Sequence, residues 1–478
     1  TAYAARAAGA VPEWSALEVQ YADYTLWQRE VLGDESDPES LLARQTEFWR
    51  TTLADLPEES TLPSDRPRPV VSSYRGASHG FTIDGRVRAG LAEVARRSSA
   101  TEFMVVHAAL AVMLSRLGAS SDVAIGTPIA GRGEAALDDL VGMFVNTLVL
   151  RTSVDGGVSF GEFLDAVRGV DLEAFAHADV PFERLVEVLD PARSQARHPL
   201  FQVMLTFQNM ADAHLELPGL SVSGVDFDAQ IAKFDLQVTV TDLAGSGEQS
   251  QGFGIEFTYA TELFDASTVE GFAERFVRIL EAVVADPARR VGDIDLLGAD
   301  ERVTVLERWN DTSHPVPEGT LLDRFDSQVL SNPDAIAVVF EDESLTYGEF
   351  DTRVNQLARY LISRGVGPET TVGLAVRRSL DLLVGMYAIV RAGGAYVPID
   401  PDQPAERNGF IVESAAPVLV VSTSRDGFDV PVSVPVVSID TLDLADVSTA
   451  PVSDAERTAP VRPSNTAYVI FTSGSTGR

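Results

Sequence analysis

The residues whose types and spacing most plainly suggest chemistry lie at 472–477, the run TSGSTG directly after the apolar stretch YVIF. Gly474 and Gly477 let the backbone turn tightly and face several N–H groups inward, while the hydroxyls of Thr472, Ser473, Ser475 and Thr476 add donors. Such a loop can wrap phosphate oxygens without net positive charge. It is not a Walker A loop, because G-x-x-x-x-G-K-S/T is absent. A flexible Ser/Gly linker has the same composition. Placement after an apolar strand, in a region that alternates strands and helices, favours the phosphate-holding reading.

Other chemistries are narrowed by what the chain lacks. It has no cysteine, which removes disulfides, thiolate nucleophiles and cysteine–zinc sites. The six histidines, His79, His107, His177, His198, His214 and His314, form no HExxH or HxH pattern, so no metal site is expected. Lys233 is the single lysine and therefore the single candidate for amine chemistry. A formal net charge of −34 repels nucleic-acid backbones and anionic lipid, yet a local loop can still hold a nucleotide. No apolar run reaches the roughly 18 residues of a membrane span. With 45% hydrophobic and 23% charged residues the chain has the balance of folded globular protein, and 478 residues predict more than one domain.

The elements that must position the loop read as follows. FMVVHAALAVMLSRLG, 103–118, is a buried helix with a glycine stop, and another helix spans roughly 160–176. Asp179 is expected to cap a following helix that has Pro181 near its first turn. FQVMLTFQN is a strand; FDLQVTVTD has period-2 alternation and pairs with GIEFTY across a glycine-rich turn; 270–285 is amphipathic helix. Periodicity fades over 296–320, read as an interdomain connector. From 321 the rhythm becomes strand and helix in alternation. AIAVVF leads to a helix with the capping box Thr346/Glu349, whose face carries Phe350, Val354, Leu357 and Leu361 and which stops at Gly365. TVGLAV, SLDLLVGMYAIVRAGG, AYVPID, VLVVSTS and the strand 468–471 complete an α/β layered domain with a largely parallel sheet.

AYVIFTSGSTGR resembles the phosphate-loop motif of the adenylate-forming superfamily, and LTYGEF and RAGGAYVPIDPDQPAER resemble two earlier stretches of the adenylation domains of non-ribosomal peptide synthetases, in the same order. Upstream, VQYADYTLWQRE, DDLVGMFVNTLVLR, HADVPFERLVE, RSQARHPLFQV and KFDLQVTV are similar to successive motifs of condensation domains. The resemblance divides the chain into a condensation domain at 1–295, a connector at 296–320 and the start of an adenylation domain at 321–478. It implies a chloramphenicol-acetyltransferase-like, two-lobed α/β fold followed by an adenylate-forming α/β subdomain.

By the same resemblance Thr472, Ser473, Gly474, Ser475, Thr476 and Gly477 hold the β- and γ-phosphates of ATP together with Mg²⁺. Attack of an amino-acid carboxylate on the α-phosphorus then gives an aminoacyl-adenylate and pyrophosphate. LTYGEF and RAGGAYVPID serve the fold, making Tyr347 and Tyr396 packing residues. Phe350 stands where the family has Leu, and Asn408-Gly409, less apolar than usual there, weakens the next helix. In the condensation part Trp27, Phe144 and Phe182 are expected in the core, and Asn146 and Thr147 are candidates for lining the tunnel between the lobes.

The condensing motif HHxxxDG is absent. The Ala-rich start resembles the helix that follows it, so the motif is expected upstream, both ends read as cuts, and the chain itself is expected to be inactive. His107 is read as a core residue and His177 as structural. The implied partners are peptidyl carrier domains bearing 4′-phosphopantetheine, with an amino acid and ATP as small molecules, no nucleic acid and no membrane, in a cytoplasmic setting. Competing readings are a free-standing acyl- or aryl-CoA ligase, an epimerisation domain in the first part, and a non-catalytic carrier-docking scaffold. The side-chain pocket for the amino acid is expected beyond residue 477.

Overall fold

The computed structural model describes the chain except residues 1, 15, 60–61, 209–216, 218, 221–229, 244–251, 317, 429–433 and 473–478. It forms two compact units, Thr1–Asp311 and Thr312–Arg478.

The first unit opens with helices α1 (Ala2–Ala7), α2 (Tyr21–Leu32) and α3 (Leu41–Thr52). There follow β1 (Gly76–Ile83), α4 (Gly85–Arg97), α5 (Glu102–Gly118), β2 (Asp122–Ile129) and β3 (Asn146–Ser153). Next come α6 (Phe160–Ala176), α7 (Phe182–Leu189), β4 (Val203–Gln208), β5 (Leu236–Asp242) and β6 (Phe253–Ala260). Helices α8 (Ala266–Ala285) and α9 (Ala299–Leu306) close the unit. The strands make one sheet in the order β1-β6-β5-β4-β2-β3, with β4 parallel to β2 and β5 and the other pairs antiparallel. Alternation in β4 shows how the sheet splits the interior: Val203 and Leu205 join a large core with α4, α5, α6 and α8, whereas Met204 joins a smaller one with Trp49, Leu185 and Phe201. At Gly126 in β2 a Cβ would lie 2.2 Å from the Phe201 ring, so only glycine lets that ring seat against the sheet.

The second unit contains α10 (Leu321–Ser331), β7 (Ile336–Phe340), β8 (Glu343–Thr346), α11 (Tyr347–Ser363), β9 (Thr371–Ala375) and α12 (Leu380–Ala392). It continues with β10 (Ala395–Pro398), α13 (Ala405–Ala415), β11 (Val420–Ser422) and β12 (Val436–Ser438). The last four strands form a wholly parallel sheet, β10-β9-β11-β12. Chain order reverses at β9, which has β10 on one side and β11 on the other. With right-handed crossovers this sends the two following helices to opposite faces. Accordingly α11 and α12 pack on one side around Val372, Leu374 and Val421, and α13 packs on the other around Val397, Ile399 and Val420.

Several sequence expectations hold in detail. The Thr346/Glu349 capping box is formed, the α11 face of Phe350, Val354, Leu357 and Leu361 is buried, and β5 pairs with β6. Others are corrected. Helix α5 runs through Gly118 and ends at Ala119 in the left-handed region, φ 52°. Asp179 does not cap α7; Pro181 occupies that position, and Gln45 holds Asp179 through Nε2 to Oδ2 at 2.8 Å and the Asp179 N–H to Oε1 at 3.0 Å. Helix α8 starts at Ala266, and the stretch read as a connector contains α9. Strand β7 lies outside the parallel sheet, in an antiparallel pair with β8. Trp27 is 48% exposed rather than in the core, whereas Phe144 is buried and Phe182 half-buried.

Candidate functional site

Ligands of open parallel sheets bind beyond the carboxyl ends of the strands, where neighbouring strands send their chains to opposite faces. In the second unit that place lies between β9 and β11, beside the end of β10. Arg377, just past β9, meets Asp402, just past β10, through two bonds of 2.5 and 3.1 Å, and its Nη1 reaches Asp426 Oδ1 at 3.2 Å. The Arg377 side-chain bond draws the Asp402 carboxyl below its ordinary range. Asn408, 2% exposed, ties the turn between β10 and α13 by donating Nδ2 to the carbonyls of Asp400 at 2.9 Å and Gln403 at 3.3 Å. Helix α13 runs unbroken through Asn408 and Gly409. Nothing local in the sequence marked Asn408 for this task, because its partners are carbonyls of a turn whose shape only the fold sets.

On the far side of β10 the chain from 467 to 471 lies alongside it. The Tyr396 N–H donates to the Ala467 carbonyl at 3.2 Å, the Val469 N–H donates to the Tyr396 carbonyl at 3.0 Å, and Tyr396 and Tyr468 form one parallel bridge. Where the sequence predicted a strand at 468–471, the structure has an extended edge segment with that single bridge. Its side chains anchor it: Tyr468 stacks on Tyr396 at 5.6 Å, Phe471 meets Phe410 edge-on at 6.2 Å, and Val469 and Phe471 pack against the core under α13. The segment ends at exposed Thr472, parallel to β10 and hence at the carboxyl edge of the sheet. Ser473, Gly474, Ser475, Thr476 and Gly477 lie outside the described residues. Tyr347, the other expected packing residue, lies against the α11–α12 core.

In the first unit Asn146 begins β3. Its Nδ2 donates to the carbonyls of Ala178 at 2.9 Å and Val180 at 2.8 Å, and its Oδ1 accepts from the N–H of Thr147 at 2.9 Å and of Phe182 at 3.0 Å. All four hydrogen-bonding positions of the amide are thus spent on backbone, which leaves none for a substrate. Thr147 is half-buried opposite Pro128 at the end of the β2–β3 ladder. His107 is fully buried, as expected of a core residue; its Nδ1 lies 2.9 Å from Asp171 Oδ1. His177 stacks on Phe48 at 3.7 Å and bonds the Glu173 carbonyl at 2.7 Å, a structural setting. Arg68 and Asp235 form a two-bond ion pair of 2.8 and 2.5 Å beside a cavity of about 510 Å³ that Lys233 also lines. Among the described residues no group of three or more His, Asp or Glu side chains is placed to hold a metal ion, and no single helix is long and apolar enough to cross a membrane.

Residues 2–306 match the condensation domain family and residues 325–478 match the AMP-binding enzyme family. The whole chain is 46% identical to part of a dimodular nonribosomal peptide synthase of Bacillus subtilis, covering 20% of it. It is 48% identical, again over its whole length, to 6% of a probable non-canonical nonribosomal peptide synthetase of Salinispora arenicola. Among solved structures, a four-domain nonribosomal peptide synthetase bound to AMP and glycine matches 90% of the chain with 33% of its own, at 25% identity and a TM-score of 0.75. The chain therefore spans a fifth or less of the curated relatives it matches. With the mixed sheet of the first unit and the parallel sheet of the second, these likenesses establish that the chain belongs to the non-ribosomal peptide synthetases, as a condensation domain followed by part of an adenylation domain.

Proposed function

We propose that the parent synthetase uses the second unit to activate an amino acid as its adenylate and the first to join carrier-bound thioesters into a peptide bond. The observation that carries the nucleotide half is the segment 467–471, which ends at Thr472 on the carboxyl edge of a parallel sheet. There Thr472, Ser473, Gly474, Ser475, Thr476 and Gly477 would surround the β- and γ-phosphates with N–H and O–H donors, and Mg²⁺ would arrive with the triphosphate. Their contribution is electrostatic: donors fixed in advance stabilise the charge that moves onto pyrophosphate as it leaves.

For the condensation half, the acceptor amine attacks a thioester carried on 4′-phosphopantetheine and the thiol departs. The family resemblance assigns the base to an HHxxxDG motif, which does not occur in residues 1–478. The chain's own contribution is the framework: the Asn146 clamp and the Gln45–Asp179 pair hold the loop before α7 in place. Partner carrier domains belong to this proposal.

ATP–pyrophosphate exchange by the full-length synthetase tests the nucleotide reading. Loss of a fixed donor in Ser475→Ala or Thr476→Ala should lower kcat/KM for ATP about tenfold or more and leave the amino-acid KM unchanged. Unaltered exchange in both variants would refute the assignment of the loop.

A further inference from the structure

The edge segment 467–471 makes only two backbone hydrogen bonds to β10 among the described residues, fewer than a strand flanked on both sides would make. A slip of one residue would turn Val469 and Phe471 away from the core and displace Thr472 by about one strand rise, roughly 3.3 Å. The packed side chains favour this register from the core side, and a contact outside the ladder fixes the segment's entry. Glu369 makes it from the loop before β9. Its Oε1 accepts from Asn465 Nδ2 at 2.8 Å and from the Thr466 N–H at 3.2 Å, and its Oε2 accepts from Thr466 Oγ1 at 3.2 Å.

Glu369 itself has φ 64°, in the left-handed region that glycine adopts at little cost and glutamate does not. A strained residue at this position persists because its surroundings hold it there. The carbonyl of the next residue, Thr370, accepts from the Ala395 N–H at 2.8 Å, so the same loop also ties the start of β10. The loop thereby links the entries of β9 and β10 through its backbone, and the Glu369 carboxylate adds the edge segment. Exposure leaves the carboxylate solvated, and the three donors hold its pKa below the ordinary glutamate range.

We infer that Glu369 is a positioning residue for nucleotide activation: it fixes the register of 467–471 against β10 and so sets where the loop after Thr472 emerges. The inference rests on the proposed nucleotide function only in its second half; the register clamp stands without it. Three variants separate the roles. Glu369→Gly relieves the backbone strain and removes the carboxylate, Glu369→Ala removes the carboxylate alone, and Glu369→Gln keeps an acceptor for Asn465 and Thr466.

In the 478-residue chain, amide hydrogen exchange at Val469 and Tyr396 should quicken about tenfold or more in Glu369→Gly and Glu369→Ala, stay near wild type in Glu369→Gln, and remain unchanged in α11. In the full-length synthetase, Glu369→Gly should raise the KM for ATP about fivefold or more, with the amino-acid KM and the melting temperature held, and Glu369→Gln should restore it. Unchanged exchange at Val469 in Glu369→Gly would overturn the clamp. Faster exchange with an unaltered KM for ATP would overturn the positioning role. Absence of ATP use by the wild type would strike the nucleotide reading alone, since exchange judges the clamp independently.

Discussion

His198 illustrates how strongly single residues depend on neighbours distant in sequence. Its ring lies 5.5, 4.5 and 4.9 Å from those of Phe182, Phe201 and Phe234, and Nδ1 sits 2.9 Å from the Pro199 carbonyl. Burial pushes its pKa below the usual histidine value, outweighing the backbone bonds that favour the cation. The unfolded chain then binds the proton more readily than the folded one. Stability is therefore full above about pH 6.5 and declines as pH falls toward the lowered folded value, by at most about 1.4 kcal/mol per pH unit from this group. Replacing His198 with Asn should flatten the fall in melting temperature of the first unit between pH 7 and pH 5; an unchanged slope would show that the ring does not govern it. At Asn146 the case is hydrogen bonding. Asn146→Ala strands two N–H groups and two carbonyls in a partly buried loop and should cost about 2–3 kcal/mol, read from the urea midpoint. Asn146→Asp keeps the acceptor but sets a carboxylate against the Ala178 and Val180 carbonyls, so it should be no milder.

Among elements, the helix trio α10, α11 and α12 turns on one buried cation. Arg391 is 1% exposed at the end of α12, and its Nη2 reaches Asp326 of α10 at 2.6 Å and Asp351 of α11 at 3.1 Å. Burial raises the Asp351 carboxyl despite the arginine beside it. Arg391→Met should destabilise the second unit by about 3 kcal/mol, because it leaves Asp351 without its cation in a poorly solvated place. Arg391→Met combined with Asp351→Leu should recover much of that loss in the same denaturant titration; no recovery would mean that the helices need the charge itself. The elements themselves were largely legible: capping boxes, period-2 alternation and apolar helix faces are local patterns, and Thr346/Glu349 or Leu236, Val238 and Val240 behave as their spacing requires. Asp179 departs from its local pattern because Pro181 occupies the cap and Gln45, 134 residues earlier, claims its carboxylate.

For the whole molecule, each buried cluster among the described residues is built from residues of a single unit. Each unit, with a core of its own, is expected to unfold as a cooperative step. Trp14, Trp27, Trp49 and Trp309 all belong to the first unit, so tryptophan fluorescence reports that unit alone while far-UV circular dichroism reports both. Arg391→Met should shift the dichroism transition of the second unit and leave the fluorescence midpoint in place, whereas Asn146→Ala should do the reverse. A common shift in both signals would show that the two cores are coupled.

From the sequence alone came the family, the order of its two domains, the capped and periodic elements and the candidate loop at 472–477, since each is written in residues close together along the chain. Tertiary structure decided which side chains those elements bring together. It put Trp27 on the surface, β7 beside β8 instead of in the parallel sheet, Arg391 between two aspartates, and Glu369 against Asn465 and Thr466. Those pairings are set by how helices cross the sheet and where loops return. Glu369 and Asn465, 96 positions apart, meet only when β9, β10 and the edge segment lie side by side.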